Sequence, residues 1–239
     1  MMGRWPIAVG VAVVVFAYAG AGDSQPVLAV GPEAEVTGDG LHRVDPRIMP
    51  GAFVKPDLDL WHYTKILVMP SLVSFRDVDR TYDPRGGVGG SVEHPVSERE
   101  KDRFRIGFGE RFKDYPIRLK PYEIYEGAGR DVLMVRGYLI DVVSGVPPMR
   151  AGHHTTFIRK PWEVTAMIEL RDSMSDEVLA RSMDRLRIEG FYDATEIPRV
   201  TSIAMTQWSE LLLERLRELL NAGGGRWSRC QLEGRDCAL

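Results

Sequence analysis

From position 162 to position 188 the chain alternates. Trp162, Val164, Ala166, Ile168 and Leu170 occupy every second place, with Glu163, Thr165, Met167, Glu169 and Arg171 between them. A repeat of two puts the first set on one face of a β-strand and the second set on the other. Residues 172–177 (DSMSDE) form a polar turn, and residues 178–188 return as the partner strand. A hairpin with one apolar face needs a second layer to cover that face, which points to a sheet carrying helices.

Two helices supply that layer. Ser97 and Glu100 have capping-box spacing, in which the hydroxyl takes an orphan amide and the carboxylate reaches back to the cap amide. Phe104, Phe108 and Phe112 then recur at i, i+4 and i+8, which aligns three rings on one stripe. Gly107 and Gly109 weaken this helix by roughly 1 kcal/mol each relative to alanine, so packing has to hold it. Tyr115-Pro116 stops it. Residues 199–221 form the stronger helix. Val200, Ala204, Trp208, Leu211, Leu212, Leu216, Leu219 and Leu220 follow the helical period, Pro198 suits the first turn, and Gly223 to Gly225 end the run.

The remaining strands are shorter. Residues 65–69 (KILVM) suit a strand buried on both faces, with Pro70 marking its end and Leu72, Val73 and Phe75 continuing the apolar side. Residues 117–125 and 131–143 read as two more strands, joined by a turn at Gly127 to Gly129. The order β-α-β-β-β-β-α, rich in hairpins, predicts an α/β (α+β) fold. It is a two-layer sandwich in which a mostly antiparallel sheet carries both helices on one face.

The amino terminus gives an address. Arg4 precedes residues 7–19 (IAVGVAVVVFAYA), an uncharged run. About 13 apolar residues fit a secretory signal and fall short of the ~20 that a spanning helix needs. Ala17-Tyr18-Ala19 resembles a cleavage site, with a second at Ala29. The expected organisation is a signal peptide at 1–22, a flexible leader at 23–45 rich in Gly, Pro and acids, a single α/β domain at 46–222, and a tail at 223–239. The chain is expected in the periplasm or secreted, with no stable transmembrane span after cleavage; an uncut signal would anchor it to the membrane. No Cys precedes residue 230, so the amino-terminal cysteine that lipoproteins acylate is missing.

Composition and motifs exclude several chemistries. Thirty-one Lys and Arg against 34 Asp and Glu give a net charge of -3, which lacks the positive footprint of a nucleic-acid binder. His153-His154 is the one histidine pair, and neighbours in an extended loop point to opposite sides; His42, His62 and His94 lack ligand spacing. Neither a metal nor a cofactor is expected. Arg85, Gly86, Gly87, Gly89 and Gly90 lie in a glycine-rich segment that ends without the GK[ST] of a phosphate loop, so it reads as a surface loop open to a partner. Asp141, Glu163, Glu169 and Asp172 could supply paired carboxylates, but the last three lie on or beside the polar face of the hairpin, where solvation and cross-strand pairing with Arg account for such charges. In an oxidising compartment, Cys230 and Cys237 would close a small disulfide loop in the tail.

Several stretches resemble a family of bacterial envelope proteins, domain-of-unknown-function family 3313. They are Pro50-Gly51; Tyr63, Ile66, Val68 and Pro70, with Val73 and Phe75; the 97–112 helix; Arg171-Asp172 and Val178-Leu179-Ala180-Arg181 around the hairpin turn; and Trp208. The resemblance covers roughly residues 46–220 and implies an envelope location, since most members are predicted lipoproteins; this chain departs from them at the acylated cysteine. The functional expectation is a non-enzymatic accessory domain that binds an envelope protein or cell-wall component. The alternative is a periplasmic hydrolase using His153 or His154 with a carboxylate.

Overall fold

The structure, a computed structural model, describes residues 26–78, 93–114, 119, 121–147 and 157–224. The alternating stretch forms β7 (Trp162–Asp172), paired antiparallel with β8 (Val178–Arg187) through the expected turn. On its other side β7 pairs antiparallel with β6 (Val132–Ser144), the long Val- and Leu-rich strand. β3 (Lys65–Val68) and β4 (Leu72–Phe75) follow one another along the remaining edge of β6, both parallel to it. β1 (His42–Arg43) and β2 (Ala52–Val54) extend the sheet beyond β8, and β5 (Glu123–Ile124) pairs parallel with β3. The path β1-β2-β8-β7-β6-β3-β5, with β4 also on β6, gives an open, mostly antiparallel eight-stranded sheet. With α1 (Glu98–Asp114) and α2 (Ile197–Ala222) it makes the α+β architecture expected from the alternation and the two helical stripes.

Two segments differ from the sequence reading. Of the stretch 117–125, the described residues 119 and 121–125 do not pair with β6 in a hairpin; among them Glu123 and Ile124 are strand, and they pair with β3. β6 has no free edge for such a hairpin, because β7 takes one side and β3 with β4 the other. β3 in turn has an open edge, which Glu123 and Tyr125 meet by donating their amides to Thr64 and Ile66. The second difference is the stretch read as a flexible leader. Its described part, residues 26–45, is tied to the sheet through β1 and through bridges Leu28–Val44 and Val36–His42. Leu41 is fully buried, in a small cluster with Phe53, Val178 and Met183. Pairs this short leave no periodic trace in sequence. Gly51, at φ +72°, lets this segment touch β8: a Cβ there would lie 2.2 Å from the Met183 carbonyl oxygen.

Both helices cover one face of the sheet. Trp162, Val164, Ala166, Ile168 and Leu170 all point into the core, as the alternation requires. Phe104 of α1 lies between Trp162 (ring centroids 4.6 Å apart), Phe75 (5.7 Å) and Trp208 of α2 (6.3 Å). Gly137 on β6 leaves the space that the Phe112 ring occupies; a Cβ there would meet the ring at 2.6 Å. Arg215 ties α2 to β8 by donating Nε and Nη2 to Asp184 at 2.7 and 3.0 Å, and its Nη1 donates to Glu218.

The capping box forms. The Ser97 amide donates to Glu100 Oε2 at 3.1 Å and the Glu100 amide to Ser97 Oγ at 3.4 Å. Ser97→Ala is therefore expected to cost about 1 kcal/mol, read as a lower urea midpoint at unchanged slope. An unchanged midpoint would show that packing of the three phenylalanines alone sets the start of α1.

The opposite face of the sheet is held by charge. Glu169 is 2% exposed although it belongs to the polar set. It accepts hydrogen bonds from Tyr138 Oη at 2.8 Å, from Arg171 Nε and Nη2 at 3.0 Å each, and from Arg181 Nε at 2.7 Å. Arg181 also reaches Asp39, clasping the amino-terminal segment to the sheet. Burial pushes the Glu169 carboxyl upward, but the donors around it outweigh burial and hold it below its ordinary value.

Candidate functional site

One end of the sheet gathers the features that the core does not use. There β6 ends at Ser144, β7 begins at Trp162, β8 ends at Arg187, and the short turn before α2 crosses over. Ser144 pairs with Trp162, its carbonyl accepts the His94 amide at 2.7 Å, and Gly145 donates to Pro161 at 3.0 Å. A Cβ on Gly145 would lie 2.1 Å from the Lys160 carbonyl oxygen, so this close crossing requires glycine. Trp162 fixes α2 to the same place by donating Nε1 to Thr201 Oγ1 at 2.8 Å.

The candidates from the sequence fall outside the described residues. Arg85, Gly86, Gly87, Gly89 and Gly90 belong to 79–92, His153 and His154 to 148–156, and Cys230 and Cys237 to 225–239. What the structure does show is the anchoring of the flanks. Arg76 donates Nε to Asp141 Oδ1 at 2.8 Å, Nη2 to Asp141 Oδ2, and Nη1 to Glu93 at 2.5 Å. It thereby links both sides of the 79–92 segment to β6. Asp141 sits at φ 58° where the β6–β7 register shifts, a left-handed conformation that Asp tolerates better than most residues. The Arg76 guanidinium holds the Asp141 carboxyl below its ordinary value. Burial pushes the His94 imidazole down, favouring its neutral form.

The four carboxylates singled out in the sequence are not brought together. Asp141 is held by Arg76, Glu163 by Arg185, and Glu169 by Tyr138 and two arginines. Asp172 accepts from the Tyr63 hydroxyl at 2.8 Å and from the amides of Met174 and Ser175. Tyr63 is a buried core edge, and Trp61 stays partly exposed beside it. Among the described residues, no group of three or more His, Cys, Asp or Glu is placed to hold a metal ion. No helix among them is long and apolar enough to cross a membrane.

Two features at this end were missed in the sequence. The first is a cleft of about 380 Å³ between the end of β8 and the first turns of α2, lined by Arg187, Glu189, Tyr192, Arg199, Val200 and Ile203. The second is a pair of rings in water: Phe157 is 65% and Phe191 69% exposed. They flank the bridge between Ile158 and Tyr192, and the Arg159 guanidinium lies 4.8 Å from the Phe191 ring centre. The alternation Phe157-Ile158-Arg159 was the available signal, but it is legible only once its partner strand is known.

The fold and this end together define an α+β domain with a partly apolar surface at one end of its sheet. No family model matches the chain, and no curated protein matches it. Solved structures do. The PelC dodecamer of Paraburkholderia phytofirmans is 10% identical, over 68% of this chain and 95% of that one, with a TM-score of 0.30. A putative neuraminyllactose-binding hemagglutinin homolog of Helicobacter pylori is 10% identical, over 68% and 90%, at 0.35. Lipoprotein GNA1162 of Neisseria meningitidis is 12% identical, over 62% and 99%, at 0.28. With identity this low and superposition this loose, what the chain does has to be read from its own residues.

Proposed function

We propose that this chain is an exported accessory domain of a bacterial envelope, related to family 3313, and that it acts by binding rather than by catalysis. The observation that carries this reading is the exposure of Phe157 and Phe191 beside the cleft. Two large apolar rings on one side of the same bridge, next to a cleft, are the kind of neighbouring exposed apolar surface that serves as a contact. The uncharged run at 7–19 supports the address. The commitment of Asp141, Glu163, Glu169 and Asp172 to guanidinium, hydroxyl and amide donors supports binding over acid–base work. An envelope protein or cell-wall component is the partner class.

Fractionation of the expressing cell tests the address. The chain is expected outside the cytoplasm with its leader removed, and Cys230 and Cys237 should resist alkylation until reduced, as a disulfide in the tail requires. A full-length product in the cytoplasm with both thiols reactive would overturn the reading.

A further inference from the structure

We infer that the leader is cut from the chain after Ala19 or Ala21, at the small-residue motifs Ala17-Tyr18-Ala19 and Ala19-Gly20-Ala21. The motif ending at Ala29 stays intact, because Val27 to Ala29 are a built part of the mature domain. This inference rests on the export reading and names where that reading acts on the chain. Val27 to Ala29 run antiparallel to residues 43–45. The Asp45 amide donates to the Val27 carbonyl at 2.9 Å, Leu28 bridges Val44, and the Ala29 amide donates to the Arg43 carbonyl at 2.9 Å. On the other side, the Val44 amide donates to Ala52 at the start of β2, so this arm is joined through β2 to β8. Leu28 packs against the main core, to which Val44, 2% exposed, belongs.

A cut after Ala29 would remove this arm. The Asp45 amide and the Arg43 carbonyl would lose the partners they have here, and Val44 would lose part of its cover. Once folded, the motif is also protected, since proteases cleave backbone that is exposed and unbonded, and this stretch is bonded to residues 43–45. Distance acts before folding does. The apolar run ends at Ala19, and Ala29 lies ten residues further (29 − 19), past Asp23 and Pro26. Ten residues reach about 33 Å, roughly the thickness of the bilayer core. Ala29 can therefore lie well clear of the membrane boundary, whereas Ala19 and Ala21 stand where the apolar run ends. The step is a hydrolysis. Water adds across the peptide bond after Ala19 or Ala21, leaving a carboxylate on the leader and an amine on Gly20 or Gly22 of the domain.

Intact-mass measurement on protein exported from cells expressing the full chain tests this. The expected masses are those of chains beginning at Gly20 or Gly22. Ala29→Arg should leave them unchanged, since a bulky residue ahead of that bond blocks only a cut there. Ala19→Arg with Ala21→Arg should instead leave the leader attached. Hydrogen exchange in the exported protein reads the arm itself: the Ala29 amide should exchange at least about tenfold more slowly than in an unstructured chain. A product beginning at Val30, from the parent or from the double variant, overturns the inference while leaving the export reading intact. An Ala29 amide that exchanges at the free-chain rate overturns it too, because the arm would then be leftover leader. A parent chain found in the cytoplasm with residues 1–21 still attached sinks the export reading and this inference together.

Discussion

Glu169→Ala is expected to destabilise the fold by about 3 kcal/mol, more than removal of any other charged side chain on the open face. The loss leaves the Tyr138 hydroxyl and two guanidiniums without the acceptor they surround. Water reaches Arg171 and Arg181 in part, since their side chains are 22% and 19% exposed, and this keeps the cost at the lower end for a buried pair. Glu169→Gln should cost less, because it keeps one acceptor while removing the charge. The network also sets a pH dependence. The folded carboxyl is held below its ordinary value of 4.5, so its contribution is complete above that value and drains away as pH falls through the depressed one. Urea unfolding down the acid range should show the parent losing its advantage over Glu169→Gln below about pH 4.5. Parallel curves for the two proteins would show that the carboxylate contributes nothing to the linkage.

Phe104→Ala carries the other large effect, about 3–5 kcal/mol. Its ring is shared by both helices and the sheet: Phe75 and Trp162 meet it from the strands and Trp208 from α2. A truncated side chain leaves a cavity where α1, α2 and the sheet meet. Such a loss corresponds to roughly a 10 °C lower melting temperature for a domain of this size. Trp162 and Trp208 report it directly, with redder emission in the folded variant. Ile106→Ala, on the exposed side of the same helix, should leave the melting temperature unchanged. If both variants melt alike, α1 is not held by its phenylalanine stripe.

What the sequence revealed follows from how local each signal is. The β7–β8 hairpin, the Ser97 cap, the phenylalanine stripe and α2 were legible because their periods lie within one segment. β1, β2 and β5 were not. Each is two or three residues long, and it is strand only because a neighbour such as β3 or β8 had unpaired backbone to offer. The same reason hid the site. Phe157 and Phe191 lie 34 positions apart in the chain (191 − 157) and share a side only through the Ile158–Tyr192 bridge. Asp141 looked like an ordinary strand residue, and nothing local announced that Arg76 would hold it in a left-handed turn.

The brevity of β1 and β5 also shapes the behaviour of the protein in a crowded compartment. They terminate the strand path at its two ends, and each offers an incoming strand only a couple of backbone groups. Charged side chains crowd both places: Arg43 near Glu33 and Glu35 at one, Lys65 and Glu123 at the other. A foreign strand arriving there would gain too few bonds to offset the desolvation of those charges, so these two ends resist the stacking that turns open sheets into fibrils.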